Sequence, residues 1–326
     1  LIFDSRLAPS TGNGIWKVND GKLVNKGFEF NLQTHIVNTQ DWRVDVGVNG
    51  ELLSNKLTQM PYDKSIQGEK IIDISGIFGR SKGHSLYDIY TREYRGVNSQ
   101  TGAAQWTMHY ADNNNNGSYD AGDTAISSLH EYQTQNPNAN IKETLTETYS
   151  QATQKYIGKS AIPDVRGAFN FNIGYKGLSL SAQLLYSLGG YAYDGVYATL
   201  MGNEKIGGNN WHKDIENHWK QAGDATDVPR LTSNYKNDAQ ANSTSSRFLT
   251  KTDYLALNNI TLAYNLDKKV CKTIGFEGLT FTLAGDNLWL ATARKGFNPT
   301  TSESGNSDRY TYSPLSTFTL GVKATF

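Results

Sequence analysis

The segment STFTLGVKATF, residues 316–326, places Phe318, Leu320, Val322, Ala324 and Phe326 on one side and Thr319, Gly321, Lys323 and Thr325 on the other. Strict period-two alternation marks a β-strand whose two faces meet unlike surroundings. The same pattern recurs as hairpin pairs. In 27–38, Phe28, Phe30, Leu32, Thr34 and Ile36 alternate with Glu29, Asn31, Gln33 and His35; in 41–54, Trp42, Val44, Val46 and Val48 alternate with Arg43, Asp45, Gly47 and Asn49. Segments 165–176 and 178–189 form a second pair about Lys176-Gly177, and 252–266 with 278–290 a third. These pairs and the terminal segment predict an all-β, antiparallel sheet of seven strands, with room for two more around 84–95 and 104–111.

Between the pairs run long stretches rich in Asn, Ser, Gly and Asp, at 55–164, 190–251 and 291–315. In a compact soluble domain such long connections count against the strand assignment. In a membrane β-barrel they are expected, because one rim carries short turns and the other long loops. Here every long connection falls on one rim. The mean hydropathy of −0.55 does not oppose a barrel, since alternating strands average out to a polar value. No stretch approaches the ~20 apolar residues of a membrane helix. The 31 Lys and Arg balance the 31 Asp and Glu, so no cationic surface points to a nucleic-acid partner. The single cysteine, Cys271, has no disulfide partner and no His/Cys companions for a metal. The start LIFDSRLAPS lacks an initiator Met and a signal peptide, and seven strands leave two edges unpaired, so a piece of a longer polypeptide is expected.

Several separated blocks carry a family resemblance. NKGFEF (25–30) is similar to an Asn-x-Gly-x-Glu strand opening, and SAIPDVRGAFNFNIGYKGLSLSAQLLYSLGGYAYD (160–194) to a Pro-x-x-x-Gly-Gly-Phe hairpin. SSRFLTKTDYLALNNITLAYNL (245–266) and LAGDNLWLATARKGFNP (283–299) are similar to two later blocks, in the same order. Together they resemble the C-terminal barrel portion of the SusC/RagA-type TonB-dependent outer-membrane transporters, over nearly the whole of 1–326. Ala168 stands where a second Gly is usual and Asn298 where Asp is commoner. The resemblance implies part of a barrel of about 22 strands in the bacterial outer membrane. It also implies a plug and N-terminal domains outside this chain, energy from TonB through that plug, a SusD-like surface lipoprotein as partner, and oligosaccharides or oligopeptides as cargo. No catalysis is implied. The aromatic Phe326 resembles the terminal signal read by the barrel-assembly machinery.

The sharpest local motif is DNNNNGSYDAGD, 112–123. It fits the EF-hand loop template, with Asp112, Asn114 and Asn116 at positions 1, 3 and 5, Gly117 at the turn, the Ser118 carbonyl at 7, Asp120 at 9 and Asp123 at 12. Ca2+ takes six to eight oxygens, which this loop can offer; an Asn/Gly-rich surface turn that binds nothing is the plain alternative. GKS (158–160) lacks the first Gly of a phosphate loop, which would fall on Thr153. His35, His84, His109, His130, His212 and His218 show no metal spacing, and WHKDIENHW (211–219) reads as an aromatic-capped loop. Trp106, Tyr110, Trp211, Trp219 and Tyr235 read first as residues holding the loops together or sitting at the membrane boundary as an outer girdle, and only second as platforms for sugar faces or for a partner protein. A rival for the whole chain is a secreted calcium-binding β-sandwich module, whose apolar faces would meet in a shared dry core with loops at both ends.

Overall fold

A computed structural model describes residues 2–6, 10, 12, 14–202, 210–232, 240–301, 306–307 and 312–326. Two compact units result. A sheet unit comprises Lys26–Leu53, Ile162–Ala192 and Lys251–Phe326; a loop unit comprises Leu1–Asn25, Ser54–Ala161 and Tyr193–Thr250. No helix among the described residues is long and apolar enough to cross a membrane.

Seven strands form the sheet: β1 (Lys22–Asn38), β2 (Trp42–Gln59), β3 (Val165–Tyr175), β4 (Leu178–Leu188), β5 (Tyr254–Asn265), β6 (Gly278–Thr292) and β7 (Thr317–Thr325). Each neighbours the next in sequence, so the order is β7-β6-β5-β4-β3-β2-β1 and the sheet does not close among the described residues. Short turns join β1 to β2 and β3 to β4. The first is held where Thr39 N–H donates to the Trp42 carbonyl (2.8 Å) and Trp42 N–H to Thr39 Oγ1 (3.0 Å). Between β5 and β6 a brief helix, Lys268–Thr273, makes the turn, capped by Asp267, whose side chain accepts from Lys269 N.

Register turns the alternation of each strand into rows across the sheet. Nearest the short turns, Trp42, Tyr175, Leu178, Tyr264, Phe281 and Val322 lie side by side, and all are exposed. The next row is Val44, Ile173, Leu180, Leu262, Leu283 and Leu320, and the one beyond it Val46, Phe171, Ala182, Ile260, Gly285 and Phe318. The opposite face reads Asp45, Asn172, Ser181, Thr261, Ala284 and Thr319, then Gly47, Asn170, Gln183, Asn259, Asp286 and Thr317. One face is therefore apolar and uncovered, the other polar. This departs from the sandwich rival, in which the apolar face would be the buried one.

The segments read from sequence as loops fold into sheets of their own. Ala104–Ala111 pairs with Tyr94–Val97, Thr124–Ile126 and Ile141–Thr146. Gln154–Ser160 pairs with Asp88–Arg92. The two extra strands expected around 84–95 and 104–111 thus exist, but they do not extend the seven-stranded sheet. Their weak alternation has a physical cause: of Ala104–Ala111 only Gln105 is not buried, so both faces meet protein and neither needs to be polar. Phe248 anchors one core with Ala198, Met201, Ile215 and Val228, and Trp106 another with Ala104, Ala152 and Ala241.

Candidate functional site

The polar face of the sheet carries a hydrogen-bonded ladder. Gln183 Nε2 donates to Asn170 Oδ1 (2.9 Å), Asn258 Nδ2 to Gln183 Oε1 (2.9 Å) and Asn259 Nδ2 to Asp286 Oδ1 (2.7 Å). The register of β4 against β5 shifts between Gln183 and Leu184, as does that of β5 against β6 between Leu257 and Asn259. Asn258 is the unpaired residue of that bulge, and the bulge lets two consecutive asparagines both serve the ladder. Amides of this kind each keep a donor or acceptor for a passing chain of peptide or hydroxyl groups.

Two hollows flank the ladder. One of about 720 Å³ is bounded by Glu29, Asn31, Asn49, Glu51, Arg166 and Tyr254. Arg166 is paired with Glu51 across β3 and β2. Beneath it the sheet needs glycine: Cβ atoms on Gly50 and Gly167 would fall 2.6 and 2.8 Å from the Tyr186 hydroxyl, which donates to the Asn49 carbonyl (3.0 Å). The other hollow, about 710 Å³, is lined by Leu185, Ala256, Asn258, Leu290, Phe297 and Asn298 among others. Neither could be read from sequence, because both depend on register across strands far apart in the chain.

In the loop unit, the 112–123 segment is a closed turn. The Asp112 carboxylate, buried, accepts from Asn116 N (3.1 Å) and Gly117 N (3.0 Å). Asp123 accepts from Asn113 N and Asp120 N, each at 3.0 Å. Asp120 accepts from Gly122 N (2.8 Å), Asn116 Nδ2 (2.6 Å) and Asn114 Nδ2 (3.0 Å), and these donors hold its carboxyl below the usual carboxylate range, Gly122 foremost. Asn114 and Asn116 also accept, from Asn116 N and Ser118 N. All six template residues thus share one turn, yet amide N–H groups fill the space at Asp120 that a cation would need. Among the described residues no group of three or more His, Cys, Asp or Glu side chains is placed to hold a metal.

The histidines behave similarly. His212 accepts from Asp214 N (3.2 Å) and His218 Nδ1 lies 2.9 Å from the Ile215 carbonyl oxygen, so WHKDIENHW is a self-bonded turn. Trp106 and Tyr110 are buried, Trp211 packs on the Phe248 core and Trp219 Nε1 donates to the Ser99 carbonyl (2.9 Å). Tyr235 lies outside the described residues. Sequence spacing missed one aromatic stack: His84 lies flat on Tyr156 (3.7 Å), with His130 edge-on to both at 5.7 and 5.5 Å.

No family model matches the chain. Over its whole length it is 25% identical to the TonB-dependent receptor P3 of Formosa agariphila, of which it covers 31%. It also superposes throughout on the RagAB peptide transporter (TM-score 0.75, 23% identity) and on the RagAB peptide importer in its 'closed-closed' state (TM-score 0.77, 22% identity), covering 32% of each. The chain resembles part of a SusC/RagA-type TonB-dependent transporter. The resemblance read from its blocks therefore holds, the fold is that of an antiparallel transmembrane barrel wall, and the chain spans about a third of the length of the proteins it matches. Those proteins are named as a receptor and as transporters, not as enzymes.

Proposed function

We propose that this chain forms part of the wall of an outer-membrane, TonB-dependent importer of oligomeric nutrients. The observation that carries the reading is the set of cross-strand rows. From Trp42 to Leu52 the apolar face of β2 runs roughly 33 Å at ~3.3 Å per residue. A strand tilt of ~40° reduces that to about 25 Å, the height of the lipid-facing band of such barrels. The row Trp42, Tyr175, Tyr264 and Phe281 is then one of the aromatic girdles, at the short-turn rim. Unpaired strand edges cannot face hydrocarbon, so the remainder of the barrel supplies the strands beside β1 and β7. By likeness to the RagAB peptide transporter we assign oligopeptides ahead of oligosaccharides as cargo, with the amide ladder lining their path. A SusD-like surface lipoprotein and TonB, acting through a plug region, complete the machine; no organic cofactor is needed. The test is membrane fractionation with heat-modifiable migration of the full-length protein, joined to uptake of labelled peptides. Recovery in the soluble fraction would sink the barrel; uptake of glycans but not peptides would reverse the cargo.

We propose a second, local reading for the 112–123 turn, resting on its bringing the template residues together: it takes Ca2+ through Asp112, Asn114, Asn116, the Ser118 carbonyl, Asp120 and Asp123. Binding must displace the Asn114 and Asn116 amides from Asp120, so we expect weak affinity, in the 10⁻⁴–10⁻³ M range of extracellular modules. Terbium luminescence excited through Tyr119 tests it. An unchanged signal on Asp112→Ala and Asp123→Ala would refute the site.

A further inference from the structure

The connection between β5 and β6 is longer than a hairpin needs and is amphipathic in an unexpected direction. Cys271 is fully buried and is the inward residue of the helix Lys268–Thr273. Val270 and Ile274, one helical turn apart, are 48% and 52% exposed on one flank, whereas Lys268 and Lys272, also one turn apart, share the other. Apolar side chains of this size at a tight turn ordinarily tuck under it. Here they are left outside.

Position supplies the reason. The helix begins four residues after Tyr264, and Phe281 comes four residues after the turn closes at Glu277; Tyr264 and Phe281 both belong to the exposed aromatic row. The turn is fixed to the last strand: Glu277 N–H donates to the Thr325 carbonyl (2.7 Å), and the Phe276 ring lies 5.0 Å from that of Phe326. The helix is thus held immediately beyond that row, which the barrel reading places where hydrocarbon gives way to headgroups, and three lysines stand within the same six residues. An apolar flank beside a basic one is the pattern of a helix lying in a membrane interface.

We infer that Lys268–Thr273 is an interfacial anchor, with Val270 and Ile274 dipping into the acyl boundary of the leaflet at the short-turn rim and Lys268, Lys269 and Lys272 engaging the phosphates of anionic phospholipids there. The anchor rests on the barrel reading above. It fixes the depth of the β5–β6 hairpin, and with it the girdle row, relative to the bilayer. Each lysine near an anionic surface adds attraction that fades within a Debye length, so the contact depends on lipid charge and on salt.

The experiment uses full-length protein, with Cys271→Ser, reconstituted in bilayers of phosphatidylcholine with or without phosphatidylglycerol. Single nitroxide labels at Val270→Cys, Ile274→Cys, Thr273→Cys and, as a strand control, Leu283→Cys are read by collision with oxygen and with a water-soluble nickel chelate. We expect a severalfold higher oxygen-to-nickel ratio at 270 and 274 than at 273. The gap should narrow without phosphatidylglycerol or when Lys268, Lys269 and Lys272 are replaced by Gln. A lipid signature at 283 with equal, water-like ratios at 270, 273 and 274 overturns the anchor and leaves the barrel standing. A water-like ratio at 283 as well removes both.

Discussion

The two units use the same residue types for opposite ends. In the sheet unit, Phe281, Leu283 and Trp289 of β6 are exposed, and Thr282 and Asp286 turn to the polar side. In the loop unit, Trp106, Met108 and Tyr110 are buried on one side of Ala104–Ala111, and Thr107 and His109 are buried on the other. A strand between hydrocarbon and water must alternate; a strand between two protein layers need not. The hydrophobic effect therefore stabilises the loop unit by excluding water from a core, whereas the sheet unit is stable only where its apolar face meets lipid. That difference can be tested by substitution.

The largest contrast is expected from truncating aromatics. Phe248→Ala, at a side chain 2% exposed in its core, should cost ~3–5 kcal/mol. It should abolish hydrogen-exchange protection in the loop unit while leaving β3 to β7 protected. Phe281→Ala, at an exposed girdle position, should leave protection in both units close to the parent's. Equal losses would erase the distinction.

Next comes charge on the two faces of one strand. Val46→Arg, at the middle of the apolar face of β2, should cost about 2–4 kcal/mol, whereas Asp45→Asn on the polar face should cost little. Refolding into lipid against denaturant measures both, and similar costs would mean that the register is wrong.

A smaller effect is expected at Asn55, a buried amide that accepts from Ser85 Oγ and Leu86 N, both at 3.0 Å, and donates to Asn25 Oδ1 (2.6 Å). Asn55→Ala leaves those partners unsatisfied and should cost ~1–3 kcal/mol. It should loosen 84–88 first, as seen by local exchange.

The smallest concerns pH. Burial, then the neighbouring His84, pushes His130 below its usual value, with Glu131 opposing. His109 is lowered in the same way, by burial and then Lys155, with Glu143 and Glu93 opposing. The unfolded chain therefore binds more protons than the folded one. The stabilisation is full above the unfolded value of about 6.5 and is lost as pH falls below it. The melting temperature of the loop unit should fall between pH 7 and 5, and His130→Gln should flatten that slope. A slope unchanged in the variant would assign it to other groups.

The contrast also explains what could be read from the chain alone. Strands β3 to β7 were legible within one or two residues of their ends, because their alternation records two solvents. β1 and β2 run further than their patterns, to Lys22 and Gln59, since near those ends Leu57 and Asn55 are buried and the code lapses. The loop unit was not legible as a folded body: its Asn, Ser and Gly content looks like linker, and its cores join residues as distant as Ala104 and Ala241. Of the candidate sites, the 112–123 turn could be read because its hydrogen-bonding residues are local in the chain. The amide ladder and the hollows could not, because they depend on a bulge at Asn258 and on register.

The central claim is that the even-numbered face of β2 meets lipid and the odd-numbered face meets a wet lumen. Nitroxide labels placed one at a time at 42, 43, 44, 45, 46, 48, 49, 51 and 52 of the full-length, reconstituted protein test it most directly. The account predicts high oxygen and low nickel-chelate accessibility at 42, 44, 46, 48 and 52, and the reverse at 43, 45, 49 and 51. A profile without period two, or with the two sets exchanged, would contradict it.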